Sequence, residues 1–540
     1  MTPRRTTVVG GLVALLLGAA PAVANAQPEA PPEATPVPVP TLVWAPCGTT
    51  PEGTAAGVEC ARAPLPLDHD DPGGEQVGVF VARVPATDQA NRIGSLFVNF
   101  GGPGGPAAEY FQALGAGLFG LLNQRFDIVG FDPRGVGQST PAVDCDAPPE
   151  PFPTAESPWE LDVDALVAVS QRYVDACREN NGAVLEHVST ANVARDMDLL
   201  RAALGEEQLS YLGFSYGTFL GATYASLFPD RYRALVLDGA VDPELYATDP
   251  VPFRSVQLAG FEDALDRFLD ACAADQAACS GFGGSDPQAA FDALLATAVA
   301  SPLPAPGFPE DPTPVTADEI RAVTFGLLYA KQVWGLLAMA LAAAEDGDGS
   351  LVRALSALLF PPDDPTSDAF SAIQAVDMRW PADLDPYLRA SAEQWAEYPH
   401  FWSIVGAHGV VYQALWPADD ADAFAGPFTT DASAPPVLVI GTTHDPATPY
   451  SGASALAGQL GNARLLTMDG DGHTAYGGNS SCVDSATDSY LVSGVLPAEG
   501  TVCPQEVPFT APSPAPVSVV TATTLPLSVT TATGVLAGGR

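Results

Sequence analysis

The chain predicts an α/β fold: a mostly parallel sheet covered by helices on both faces and interrupted by a long helical insertion. Three observations carry that expectation. Short apolar runs of β character alternate with helical stretches in two separate parts of the chain, and no tight hairpin turn joins consecutive strands. Residues 246–425, between those parts, read as helices separated by proline-rich joints. The third is Leu209–Phe228, an apolar run that turns into a small-residue helix at Gly213-Phe214-Ser215-Tyr216-Gly217. A serine with glycine two residues away on each side, between a strand and a helix, is the pattern of a strained nucleophile-bearing turn.

Composition bounds the function. An apolar content of 47% and a charged content of 16% over 540 residues describe a globular chain with a large core. Its 22 basic and 64 acidic residues give a net charge of −42, and no basic run exceeds Arg4-Arg5. Nucleic acid and anionic membrane surfaces are therefore excluded as expected partners.

Residues 1–26 read as an export signal: Arg4-Arg5, the apolar stretch Val8–Ala20, and an Ala24-Asn25-Ala26 cleavage site. The expected protein is secreted and begins at Gln27. The apolar stretch is too short to span a bilayer, and no later run of about 18 apolar residues follows, so no membrane span is expected.

Residues 27–41 form a proline-rich spacer, and 42–245 the first part of the α/β core, with strands expected over Gln76–Pro85, Ile93–Phe100 and Phe126–Phe131. The Asp68-His69-Asp70-Asp71 cluster, just before Pro72-Gly73-Gly74, reads as a solvated turn rather than a metal site. Gly101-Gly102-Pro103-Gly104-Gly105 follows a strand directly but lacks the Lys-Ser/Thr ending of a phosphate loop and the G-x-G-x-x-G spacing. It reads instead as a loop whose backbone N–H groups face a developing negative charge.

Asn192–Leu204 is an amphipathic helix ended by Gly205, and Ala234–Asp238 is the strand after the serine turn. Within 246–425 the expected helices are Phe261–Ala274, Ala289–Ala300, Ala317–Leu328, Trp334–Glu345 and Leu351–Leu359. The α/β pattern resumes over 426–510, with strands at Pro436–Gly441 and Arg464–Met468. Residues 511–540 have no periodic core face and read as a low-complexity tail.

The eight cysteines suit an exported, disulfide-bonded protein. They permit on the order of a hundred pairings. The simplest joins sequential neighbours: Cys47–Cys60, Cys145–Cys177, Cys272–Cys279 and Cys482–Cys503. None has C-x-x-C spacing, which leaves zinc and redox chemistry without support.

A serine hydroxyl needs a base, usually histidine, oriented by a carboxylate. Of six histidines, His69 and His187 precede the serine, and His400 and His408 lie in the helical insertion. His473 directly follows the strand ending at Met468, where a doubly wound sheet presents its ligand-facing loops. His444 adjoins Asp445, and neighbouring side chains seldom make an orienting pair. Asp445 follows the preceding strand and is the expected acid; Asp238, at another strand end, is the rival.

At this point five runs carry a resemblance: A-R-D-M-D-L-L-R-A-A-L-G, G-F-S-Y-G-T-F-L-G-A-T-Y-A, L-V-L-D-G-A-V-D-P, H-D-P-A-T-P-Y and G-D-G-H-T. With W-A-P-C and C-A-R-A-P-L-P-L-D near the start and the segment from Cys482 to Cys503, they resemble the secreted tripeptidyl aminopeptidases of high-GC Gram-positive bacteria. Those are α/β-hydrolase serine exopeptidases related to proline iminopeptidases, and the likeness covers roughly residues 42–508.

The resemblance implies an α/β-hydrolase fold, Ser215 as nucleophile, Asp445 and His473 as its partners, and a pocket under a helical cap that admits peptides with a free N-terminus. Two departures stand out. Phe100 opens the glycine loop, where the proline iminopeptidases have histidine and the tripeptidyl enzymes usually proline. Ala375 and Gln413 occupy positions that carry cysteine in the relatives, which implies a lost disulfide.

The expected chemistry is acyl transfer, with the Tyr216 and Gly102 backbone N–H groups meeting the oxyanion and no metal or organic cofactor. A secreted esterase or lipase using the same residues is the alternative. A silent binding protein on this fold is a more distant one.

Overall fold

The computed structural model describes residues 37–47, 57–115, 117–148, 150, 152–361 and 366–511. The expected export signal, most of the proline-rich spacer and nearly all of the tail lie outside the described residues.

Ten strands form one sheet: β1 (Ala45–Pro46), β2 (Glu59–Pro66), β3 (Gln76–Val84), β4 (Gly94–Asn99), β5 (Phe126–Asp132), β6 (Leu209–Phe214), β7 (Tyr232–Asp238), β8 (Val437–His444), β9 (Ala463–Asp471) and β10 (Val502–Pro504). Their order is β1-β2-β3-β5-β4-β6-β7-β8-β9-β10. All neighbours from β5 to β10 pair in parallel. β1, β2 and β3 extend the sheet antiparallel from β5. Every residue of β4 and β5 is buried, the pattern of strands covered on both faces, which is why they read as continuous apolar runs.

Successive side chains feed opposite faces. Val129, Phe131, Tyr211, Leu235 and Leu237 join one buried cluster with Val193, Met197 and Leu200 of helix Thr190–Ala203 and with Phe219 and Leu220 of helix Tyr216–Leu227. Ile128, Leu212, Val236, Leu438 and Ile440 join another with Phe111 of helix Ala107–Leu114 and Tyr490 and Leu491 of helix Ser481–Ser493. The sheet is thus mostly parallel and wrapped on both sides.

Between β7 and β8 the described residues form helices and no strand, apart from one isolated bridge between Leu303 and Val315. The helix expected from Phe261 begins at Pro250, because a proline at the first helical position has no N–H that the helix would use. Helices Thr366–Asp377, Asp385–Glu397 and the four-residue Trp402–Val405 lie outside the expected set. This segment has its own aromatic core, in which Phe261 stacks on Phe325 at 3.7 Å and packs against Tyr329 and Phe401.

The structure joins Cys47 to Cys60, Cys145 to Cys177, Cys272 to Cys279 and Cys482 to Cys503. The chain does turn at residues 69–70, but His69 is not solvated as expected. Its imidazole is turned inward against Asp196, at 3.0 Å, and Arg134, whose guanidinium is fully buried. The five N–H groups of Arg134 are taken up by Asp196 and the carbonyls of Pro66, Leu67 and His187, while the Asp196 carboxylate keeps a lone pair to accept from the imidazole, which replaces its contact with water. The segments bearing Ala375 and Gln413 are joined by hydrogen bonds: Gln413 Nε2 donates to the Ser371 carbonyl at 3.2 Å, and Ser371 Oγ meets the Tyr412 hydroxyl.

Candidate active site

β6 ends where the chain must turn sharply into helix Tyr216–Leu227, and Ser215 takes the strain, with φ 55° and ψ −125°. A Cβ at Gly213 would press on the Gly217 carbonyl and stand 2.6 Å from the Tyr211 ring, so only glycine fits there. The glycine loop after β4 lies directly against this turn. A Cβ at Gly101, whose φ is 99°, would fall 2.8 Å from Ser215 Cβ. Among the described residues no acceptor meets the backbone N–H of Gly102 or of Tyr216, the first residue of its helix.

The Asp–His pair is built by two loops. Asp445 follows β8 and is 2% exposed; His473 follows β9 and is 3% exposed. His473 Nδ1 lies 2.9 Å and 3.0 Å from the two Asp445 oxygens, so this nitrogen is the one that donates to the carboxylate. The carboxylate is held in turn by the backbone N–H of Ala447 (3.0 Å), Thr448 (2.8 Å) and Thr474 (3.2 Å), and by Thr448 Oγ1 at 3.0 Å. His473 N–H donates to the carbonyl of Tyr329 at 2.7 Å, and the Tyr329 ring stands edge-on to the imidazole, 5.4 Å between centroids.

The end of β7 ties the serine to the histidine. Ser215 N–H donates to the Asp238 carbonyl at 2.9 Å. The Asp238 carboxyl accepts from Ala475 N–H (3.0 Å) and Tyr476 N–H (2.8 Å), just after His473. A Cβ at Gly239 would stand 3.2 Å from His473 Cε1. The carboxyl beside the His473 ring is therefore that of Asp445, while Asp238 fastens the loop after the histidine. Burial pushes Asp238 up to about 7.

Of the other histidines, His444 turns outward to Asp263 at 2.9 Å, on the rim of a groove of about 390 Å³ that also touches Asp445 but neither Ser215 nor His473. Glu262 and Asp292 clamp His400 and raise its pKa to about 9 against the opposing effect of burial.

Three positions around the site went unread in the sequence. Thr448 caps Asp445 and reaches His473 Nδ1 at 3.2 Å. Tyr329 comes from the helical segment. Asp471, two residues before His473, accepts from Arg267 and, at 2.5 Å, from Lys331 Nζ, both also of that segment. Only Thr448 had a local signal, three residues after an aspartate in a proline-rich turn.

A mostly parallel sheet with a serine elbow after its central strand, and a buried Asp–His pair supplied by later loops, defines the class of α/β-hydrolases. Family models agree: one described as alpha/beta hydrolase fold matches residues 96–280, and one described as TAP-like protein matches residues 400–503. The chain is 34% identical to serine protease Hip1 of Mycobacterium tuberculosis over 484 residues, covering 85% of this chain and 90% of that protein. It is 36% identical to a carboxylesterase B of the same organism (82% and 86%), and 31% identical to the tripeptidyl aminopeptidase of Streptomyces lividans (85% and 85%). The chain belongs to this TAP-like family of α/β-hydrolases and is a serine hydrolase of the peptidase kind.

Proposed function

We propose that the protein is a secreted exopeptidase that cleaves short peptides, tripeptides foremost, from free N-termini, with Ser215 as nucleophile, His473 as base and Asp445 as its orienting acid. The observation that carries this reading is the buried Asp445–His473 pair, fastened through the end of β7 to the strained Ser215 turn. With Nδ1 committed to Asp445, the other ring nitrogen of His473 is the one left to take the Ser215 proton as Oγ attacks the scissile carbonyl. The oxyanion is met by the unengaged N–H groups of Tyr216 and Gly102, and losing one such donor raises the barrier by about 2.7–4 kcal/mol. His473 then protonates the departing amine, and water releases the acyl group.

The helices between β7 and β8 serve as a cap over the substrate pocket in this reading. Secretion is supported by the signal-like start of the chain and by four disulfides, which persist in oxidising compartments. Exopeptidase specificity is supported by the relative named tripeptidyl aminopeptidase.

Hydrolysis of esters is the second reading, favoured by the relative named carboxylesterase B. Free-amine tripeptide p-nitroanilides, their N-acetylated forms and p-nitrophenyl esters separate the two. The exopeptidase reading expects kcat/KM for the free-amine peptides to exceed that of the blocked ones by about tenfold or more. A clear preference for blocked peptides or esters overturns it.

A further inference from the structure

Five arginines are almost fully buried among the described residues. Four have carboxylate partners: Arg134 with Asp196, Arg201 with Asp198, Arg321 with Glu156 and Asp318, and Arg353 with Glu319. Arg254 does not. It is 6% exposed, and its guanidinium donates a single hydrogen bond, to the carbonyl of Val405 at 3.3 Å. A guanidinium has five N–H donors and stays charged in proteins. Burying one without a counter-charge is costly, and such a group is stable in a fold chiefly when something else completes it.

The position of Arg254 indicates what completes it. On helix Pro250–Ala274 it lies one turn before Leu258 and two before Phe261, whose ring packs on Tyr329. Tyr329 is the residue that stands on His473. Arg254 is within electrostatic reach of Tyr329 itself and of Tyr412, whose hydroxyl meets Ser371 of helix Thr366–Asp377. That helix lies against the glycine loop: a Cβ at Gly104 would stand 3.3 Å from Phe370 N. The guanidinium therefore sits between the wall that carries the histidine and the wall that backs the glycine loop. The Tyr329 hydroxyl, also buried, has no hydrogen-bond partner among the described residues. His408, buried nearby and paired through Nδ1 with Ser391, is a neutral ring, because burial holds its pKa down to about 4, and an imidazole offers no negative charge.

We propose that Arg254 binds a carboxylate of the substrate, which makes this enzyme selective for acidic peptides. The planar fork of a guanidinium matches a carboxylate in two parallel hydrogen bonds, and its sign is wrong for the N-terminal ammonium. Two substrate groups have this chemistry: an acidic side chain in the acyl portion, and the free terminal carboxylate of the leaving portion. The inference rests on the serine-peptidase reading of the site given above.

The test uses the full-length secreted protein. One arm compares tripeptide p-nitroanilides carrying Glu or Gln at each acyl position; the other compares tetrapeptides ending in a free acid or an amide. In the wild type one arm is expected to favour the carboxylate by about 10- to 100-fold in kcat/KM, and the arm that responds identifies the source. Arg254→Met is expected to abolish the preference and Arg254→Lys to retain part of it. Equal rates for charged and neutral partners in both arms of the wild type overturn the proposal, as does a preference that survives in Arg254→Met. Wild-type protein that a fluorophosphonate does not label at Ser215 defeats the underlying hydrolase reading instead, so the two failures are distinct.

Discussion

The sheet and the helical segment between β7 and β8 meet at the site by different means. On the sheet side the ties, apart from the side-chain contacts among Asp445, Thr448 and His473, have a backbone group at one end at least. Ser215 bonds to the Asp238 carbonyl, the Asp445 carboxylate takes three backbone N–H groups, and Asp238 takes two more. On the helical side, apart from the His473 N–H on the Tyr329 carbonyl, the ties are side chains: Arg267 and Lys331 on Asp471 and the Tyr329 ring on His473. A backbone N–H survives substitution of its own residue, so such a tie depends on one side chain at most, whereas a tie between two side chains changes with either residue. On the proposed mechanism, the chemistry is held on the sheet and recognition is carried by the helices.

Ser215→Ala breaks the sheet side most severely. On the proposed mechanism it lowers kcat by about a millionfold while leaving the circular dichroism spectrum and Tm near wild type. Asp445→Asn keeps the shape but offers His473 the wrong partner for its tautomer, and kcat is expected to fall about 10⁴-fold. Either variant retaining more than about a tenth of wild-type activity contradicts the assignment.

On the helical side, Asp471→Asn releases Arg267 and Lys331 from the loop that leads to His473. The expected loss is about 10- to 100-fold in kcat/KM for peptides, and markedly less for p-nitrophenyl acetate, which needs little of the cap. Equal losses on both substrates place Asp471 in the chemistry rather than in the coupling between the two regions.

The smallest effect is on stability against pH. Burial pushes Asp132 and Asp238 on the sheet, and Asp377 in the helical segment, each up to about 7. The folded chain keeps those protons to higher pH than the unfolded chain, which releases them near about 4. The stabilisation is therefore present at low pH and is lost as pH rises from about 4 through about 7. Thermal melts across that window are expected to show Tm falling by a few degrees, with Asp238→Asn and Asp377→Asn each flattening the curve. A Tm that rises steadily over the same window rules this out.

The parallel strands were legible because burial on both faces leaves continuous apolar runs, as in Phe126–Asp132 and Val437–His444. β2 was not legible, since prolines interrupt its alternation, and β10 is too short to show any period. In the helical segment, helices with strong caps or apolar stripes, such as Ala317–Leu328 with its Thr316–Glu319 capping box, stood out. Thr366–Asp377 and Asp385–Glu397 did not, because their polar residues are satisfied by partners far along the chain. The juxtaposition of Asp445 and His473 could be read from chain order because each follows its own strand, and parallel strands bring their trailing loops to one edge.

The sequence by itself determined the local devices: the glycines that permit the Ser215 turn, the glycine loop after β4, and the acidic and basic residues available to serve it. These depend on neighbours a few positions away. Only the tertiary structure decided that Asp238 fastens the backbone after the histidine, that Tyr329 and Asp471 tie the helical segment to that loop, and that Arg254 is buried without a counter-charge among the described residues. Whether a charge is compensated depends on what the fold packs around it, and its neighbours here come from helices up to about 160 residues apart, from Arg254 to Tyr412.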